Sequence, residues 1–158
     1  MSDSIDSKSV LFVCLGNICR SPSAEAVFQK KAFQAGLRLT IDSAGTAGYH
    51  EGAAPDQRSQ AVGEERGYSF KGLKCRKVNE QDFEKFDYIL GMDEKNVTDL
   101  IEKCPPEFHN KVALFLSFGQ SQEQEVPDPY YTGKRGFAYV LDLIEQGADD
   151  LIAHIKAN

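Results

Sequence analysis

The chain has 158 residues, 41% of them apolar and 27% charged, which suits one folded domain and excludes a disordered or collagen-like chain. Eighteen Lys and Arg against 24 Asp and Glu give a net charge of −6, which argues against nucleic acid as a partner. No apolar run is long enough for membrane insertion, and the four cysteines (Cys14, Cys19, Cys75, Cys104) lack the number for a disulfide scaffold and the spacing for a zinc site, so neither metal nor other cofactor is expected.

Residues 1–7 are polar and aperiodic and are expected to form a disordered tail ahead of a single domain over 8–158. Asp3 and Asp6 stand where a secretory signal would be basic, so a cytoplasmic location is expected. Val10-Leu11-Phe12-Val13 reads as a strand buried on both faces. Ser21-Pro22 reads as a helix start with a capping hydroxyl, and Ala24, Val27, Phe28, Ala32 and Ala35 recur on one face until Gly36. Leu37 to Ser43 alternates as a second strand and leads to a Gly-rich loop over 45–52; Asp56 to Arg66 suits a helix ended by Gly67. Tyr88 to Met92 is the third strand, followed by Asp93 as the cap of an amphipathic helix that ends before Pro105. Val112 to Leu116 reads as a fourth buried strand. A polar loop over 119–133 then leads to a long final helix with an irregularity expected at Gly147. Strands alternating with helices imply right-handed crossovers and a parallel sheet with helices on both faces.

In such sheets ligands bind beyond the carboxyl ends of the strands, which directs attention to Cys14-Leu15-Gly16-Asn17-Ile18-Cys19-Arg20-Ser21. This segment joins a thiol at a strand end, two residues tolerant of positive φ, and a helix N-terminus. Backbone N–H groups in such a loop make a concave anion site, and the field that holds a phosphate there also favours a thiolate at Cys14. Arg20 can close its planar fork over phosphoryl oxygens, and Ser21 can donate its hydroxyl to the Cys14 sulfur. The nucleotide-binding pattern G-x-x-x-x-G-K-[ST] is absent here.

Attack on a phosphate ester requires a proton for the departing oxygen. Asp128, between Pro127 and Pro129, has a restricted backbone and is the candidate general acid; Tyr130 and Tyr131 offer an aromatic wall for a flat substrate.

The string VCLGNICRSPSAEAVF over 13–28, with DSAGT over 42–46, YILGMDEKN over 88–96 and DPYY over 128–131, resembles the low-molecular-weight protein tyrosine phosphatases over nearly the whole chain. The resemblance implies an α/β three-layer sandwich, a four-stranded parallel sheet with helices on both faces, of the phosphotyrosine phosphatase I-like type. It implies two-step hydrolysis of phosphotyrosine in protein substrates, and of small aryl phosphates, through a cysteinyl-phosphate without cofactor, with inorganic phosphate or vanadate as inhibitors. Carried over by position, Cys14 is the nucleophile, Arg20 the transition-state clamp, and Asp128 the acid and then the base. Leu15, Gly16, Asn17, Ile18 and Cys19 supply loop amides, Asn17 and Ser43 brace the loop, and Tyr49, Tyr130 and Tyr131 line the entrance. Leu73 stands where the family often carries a histidine that helps to hold the loop asparagine, so that part of the support is expected to be missing.

Cys19 suggests a reversible Cys14–Cys19 disulfide as an oxidative off switch, against simple packing of a small apolar group. His50, His109 and His154 show no catalytic spacing and are expected at the surface, and Lys71, Lys74, Arg76 and Lys77 as a solvated basic face. Two other readings compete. Arsenate reduction on the same fold would resemble a relay through two cysteines close together about seventy residues beyond the nucleophile, whereas Cys75 and Cys104 are far apart; a non-catalytic phosphate-binding module would have no need of Asp128.

Overall fold

The first apolar run lies within strand β1 (Ser9–Cys14), every residue of which is buried; the computed structural model describes residues 8–158. β2 (Thr40–Gly45) pairs with one edge of β1 and β3 (Tyr88–Gly91) with the other, and β4 (Val112–Leu114) lies outside β3. All pairings are parallel, in the order β2-β1-β3-β4. The expected tail over residues 1–7 lies outside the described residues.

Among the described residues five α-helices cover the sheet: α1 (Arg20–Gln34), α2 (Gln57–Glu65), α3 (Glu80–Lys85), α4 (Glu94–Lys103) and α5 (Lys134–Ala157). Because successive strand side chains point to opposite faces, Val10, Phe12 and Cys14 join one apolar cluster with α1 and α5 while Leu11 and Val13 join a second with Phe83 of α3 and Leu100 of α4. That alternation produces the three-layer sandwich. Phe12 meets Phe28 and Phe115 edge to face, with ring centroids 5.5 Å and 5.1 Å apart. Removing such a ring costs about 3–5 kcal/mol.

Several sequence expectations shift in the structure. β2 starts at Thr40 because its register is set by Ser9↔Thr40, and Leu37 instead closes the end of α1 through its N–H on the Ala32 carbonyl. The fourth strand keeps only Val112–Leu114, half-buried at the sheet edge, since Phe115–Phe118 turns into a 3₁₀ segment. α3 escapes the apolar pattern, having one buried apolar residue, Phe83, but Asn79 and Asp82 form a reciprocal capping box that starts it. No irregularity occurs at Gly147: α5 is continuous, and Gly147 is where it packs against Phe115 and Leu116. A Cβ there would lie 2.6 Å from Leu116 Cδ2.

Candidate active site

β1 ends at Cys14, which is 3% exposed, and the next five residues turn the chain into α1. Asn17 takes φ of 58°, the left-handed conformation that Asn tolerates better than most residues. The loop is held from outside by its carbonyls: Thr46 N–H donates to Cys14 at 2.9 Å, Ala47 N–H to Leu15 at 2.9 Å, and Asp56 N–H to Ile18 at 2.8 Å. Among the described residues none of the loop N–H groups from Leu15 to Cys19 has a partner, which suits them to an anion. The loop lies so close to β2 that a Cβ on Gly45 would sit 2.7 Å from the Leu15 oxygen, so only glycine fits there.

Ser21 does not cap the helix as expected. The N-cap is Cys19, with no side-chain cap, and the Ser21 hydroxyl lies 3.1 Å from the Cys14 sulfur. Asn17 Nδ2 donates to Ser21 Oγ at 2.8 Å and to Ser43 Oγ at 3.0 Å, and Ser43 donates to Glu25 Oε1 at 2.7 Å. With Asn17 donating to it, the Ser21 oxygen is engaged as an acceptor, and its proton has two acceptors in reach, the Cys14 sulfur and, at 3.4 Å, the Ala44 carbonyl. Burial, and then Asp42, push the Glu25 carboxyl up to about 7 against the opposing effects of Ser43 and Arg76.

Leu73 does not leave Asn17 loose. The Asn17 side-chain oxygen accepts the Arg76 backbone N–H at 2.9 Å. Arg76 is therefore not part of a solvated basic face: its guanidinium donates to both oxygens of Asp82 at 3.0 Å and to Asp42 at 3.2 Å, while Lys71, Lys74 and Lys77 remain exposed. Sequence reasoning missed this role because the partners are remote in the chain.

Arg20 is buried in the first turn of α1, where Nη1 donates to Asp93 Oδ2 at 2.7 Å and to the Val126 carbonyl at 3.0 Å. Burial opposes its charge, but the Cys14 sulfur, Asp93 and Asp128 outweigh burial and keep the guanidinium charged. Asp128 approaches from the opposite loop, with Oδ2 4.0 Å from Arg20 Nη2 and Oδ1 accepting the Tyr130 N–H at 3.0 Å.

These groups line one cleft of about 320 Å³, with Cys14, Leu15, Gly16, Ile18, Cys19 and Arg20 below and Tyr49, Tyr130, Tyr131 and Asp128 around the opening. His50 is a member that sequence reasoning put aside; it packs over Gly16, whose added Cβ would lie 3.1 Å from His50 Cδ2. His109 binds the Cys104 carbonyl at 2.8 Å, and His154 packs against Phe118 and Tyr88 away from the cleft. Cys75 and Cys104 are buried free thiols, one bonded to the Ala54 carbonyl and the other ending α4.

A thiol, a guanidinium and a carboxyl converging on a bed of amides is a site for phosphoryl transfer, and known proteins carry the same arrangement of chain. Residues 9–158 match the family model described as low molecular weight phosphotyrosine protein phosphatase. The chain is 42% identical over 151 residues to the low molecular weight protein-tyrosine-phosphatase YfkJ of Bacillus subtilis, covering 94% of this chain and 96% of that one. It is 42% identical over 137 residues to the human low molecular weight phosphotyrosine protein phosphatase, covering 84% and 86%. The crystal structure of a protein tyrosine phosphatase from Entamoeba histolytica, with Hepes in the active site, superposes with a TM-score of 0.91 at 42% identity, covering 95% of this chain and 97% of that one. Matched in sequence and in fold over nearly its whole length, the chain belongs to the low molecular weight phosphotyrosine protein phosphatase family.

Proposed function

We propose that this chain hydrolyses phosphotyrosine in proteins, and small aryl phosphates, in two steps through a phosphate ester on Cys14. The observation that carries this reading is the meeting of Cys14, Arg20 and Asp128 in one cleft with aromatic sides. In the first step the Cys14 sulfur bonds to phosphorus, the bond from phosphorus to the tyrosine oxygen breaks, and Asp128 gives that oxygen its proton. Charge on the equatorial oxygens meets the loop amides from Leu15 to Cys19 and the Arg20 fork, which Asp93 and Val126 hold in place. In the second step Asp128 takes a proton from water as the water oxygen bonds to phosphorus; phosphate leaves, and the returning thiolate meets the Ser21 hydroxyl. Ser43 steadies Asn17, and Tyr49, Tyr130 and Tyr131 hold the phenyl ring. Because Cys14 is only 3% exposed at the cleft floor, the phosphate at the end of a phenyl ring reaches its sulfur where that of the shorter phosphoserine does not.

Arsenate reduction and passive phosphate binding fit less well, since Cys75 and Cys104 form no relay pair and Asp128 would be idle. Residues 8–158 act as a single phosphatase domain, a reading supported by two apolar clusters that share one sheet. Inorganic phosphate and vanadate act as inhibitors by occupying the loop. A cytoplasmic location is supported by four free cysteines, and among the described residues no helix is long and apolar enough to cross a membrane.

The test is hydrolysis of p-nitrophenyl phosphate and of a phosphopeptide panel with and without vanadate. Cys14→Ser is expected to abolish turnover with the fold intact, and Asp128→Asn to slow phenyl phosphate far more than p-nitrophenyl phosphate. Residual turnover by Cys14→Ser, or a preference for phosphoserine, overturns the reading.

A further inference from the structure

Asp128 lies in a stretch without regular structure, and its side chain is 51% exposed. An acid so placed is useful only if its backbone is held. Two residues before it, the Val126 N–H donates to the Met92 carbonyl at 2.8 Å, and the Val126 carbonyl accepts from Arg20 at 3.0 Å. Two residues after it, the Tyr130 carbonyl accepts from Arg58 Nη1 at 2.9 Å. Between these two attachments Pro127 and Pro129 restrict the chain.

Arg58 is itself fixed. Its Nε donates to Asp56 Oδ1 at 3.1 Å and its Nη2 to Asp56 Oδ2 at 2.9 Å, a bidentate fork. Its guanidinium carbon lies 5.0 Å from the Tyr130 ring centroid and 4.7 Å from that of Phe137. Asp56 in turn donates its backbone N–H to the Ile18 carbonyl in the phosphate-binding loop. A continuous path therefore runs from Ile18 through Asp56 and Arg58 to Tyr130 and Asp128. Arg58 holds the Asp56 carboxyl below its ordinary range, so the fork stays ionised at any neutral or mildly acidic assay pH.

We propose that Arg58 is a positioning residue for the general acid: it ties the Asp128 loop to the loop that carries Cys14, and so sets where the carboxyl meets the leaving oxygen. The proposal rests on the phosphatase reading above. A surface ion pair of this kind contributes little to stability, so the arginine can be removed without loss of the fold.

The test compares kcat/KM for phenyl phosphate and p-nitrophenyl phosphate in the wild-type chain, Arg58→Ala and Arg58→Lys, together with inhibition by inorganic phosphate. kcat/KM covers the steps through formation of the cysteinyl-phosphate, where the poor leaving group depends most on the acid. Arg58→Ala is expected to lose about 10- to 100-fold on phenyl phosphate and under about threefold on p-nitrophenyl phosphate, with phosphate inhibition unchanged within about twofold. Arg58→Lys, which retains a donor but not the planar fork, is expected to show the same bias to a smaller degree. Equal losses on both substrates, or no loss, overturn the proposal; if Arg58→Ala does not fold, the same comparison with Arg58→Lys decides. Absence of hydrolysis by the wild-type chain overturns the phosphatase reading instead, so the two failures are distinct.

Discussion

A single carboxylate, that of Asp93, serves both Arg20 and helix α4: Oδ2 accepts from Arg20 Nη1 at 2.7 Å while Oδ1 accepts the Asn96 N–H at 2.8 Å as the N-cap. The cap fixes the direction of the carboxylate, and the carboxylate fixes the guanidinium that we propose meets the phosphoryl group.

Asp93→Asn and Asp93→Ala separate these two roles. Asn caps a helix as well as Asp, so both variants are expected to weaken phosphate inhibition and turnover, whereas Asp93→Ala loses about 1 kcal/mol more stability for the missing cap. Urea unfolding beside phosphate inhibition measures both. Wild-type inhibition in Asp93→Asn would show that Arg20 does not depend on this partner.

Glu25 makes stability depend on pH. Its folded value of about 7 lies above the ordinary 4.5, so between those values the folded chain holds a proton that the unfolded chain releases. Its contribution is therefore full below about pH 4.5 and is lost as pH rises through about 7, an effect on the order of 3 kcal/mol. Glu25→Gln removes this slope, and unfolding of both proteins at pH 5 and pH 8 measures it. An unchanged difference between them at the two values would sink the prediction.

Gly147→Ala is expected to destabilise by about 1–2 kcal/mol, because overpacking against Leu116 and Phe115 exceeds the helix-propensity gain of about 1 kcal/mol. Thermal unfolding measures it, and a stabilised variant would show that the interface yields.

The Cys14–Cys19 switch is testable by mass mapping after peroxide. Peroxide oxidises the Cys14 thiolate to sulfenic acid, which then condenses with the Cys19 thiol to a disulfide with loss of water. Burial pushes the Cys19 thiol up to about 12, so closure is expected to quicken as pH rises. A bridge that dithiothreitol reverses, with return of activity, is the expected result. Recovery of only sulfinic or sulfonic Cys14 counts against the switch.

The main strands and helices, the Cys14 loop and the Asp128 loop are all legible in the chain itself, because burial imposes periods on side chains and turns demand particular residues. Val10–Val13 announces a strand buried on both sides, and Asp93 announces a cap, through local chemistry alone. The short α3 was not legible, since one buried Phe83 makes no pattern, and Gly147 was misread because helix propensity says nothing of a neighbour 31 residues earlier such as Leu116. Only the tertiary structure decided that the Ser21 hydroxyl meets the sulfur rather than the helix end, that the Arg76 main chain binds Asn17, that His50 lines the cleft, that Asp93 binds Arg20, and that Arg58 binds the Tyr130 carbonyl in the Asp128 loop. Those partners lie far apart in the chain, and nothing in one residue's type specifies which distant group it will meet once the sheet has brought the loops together.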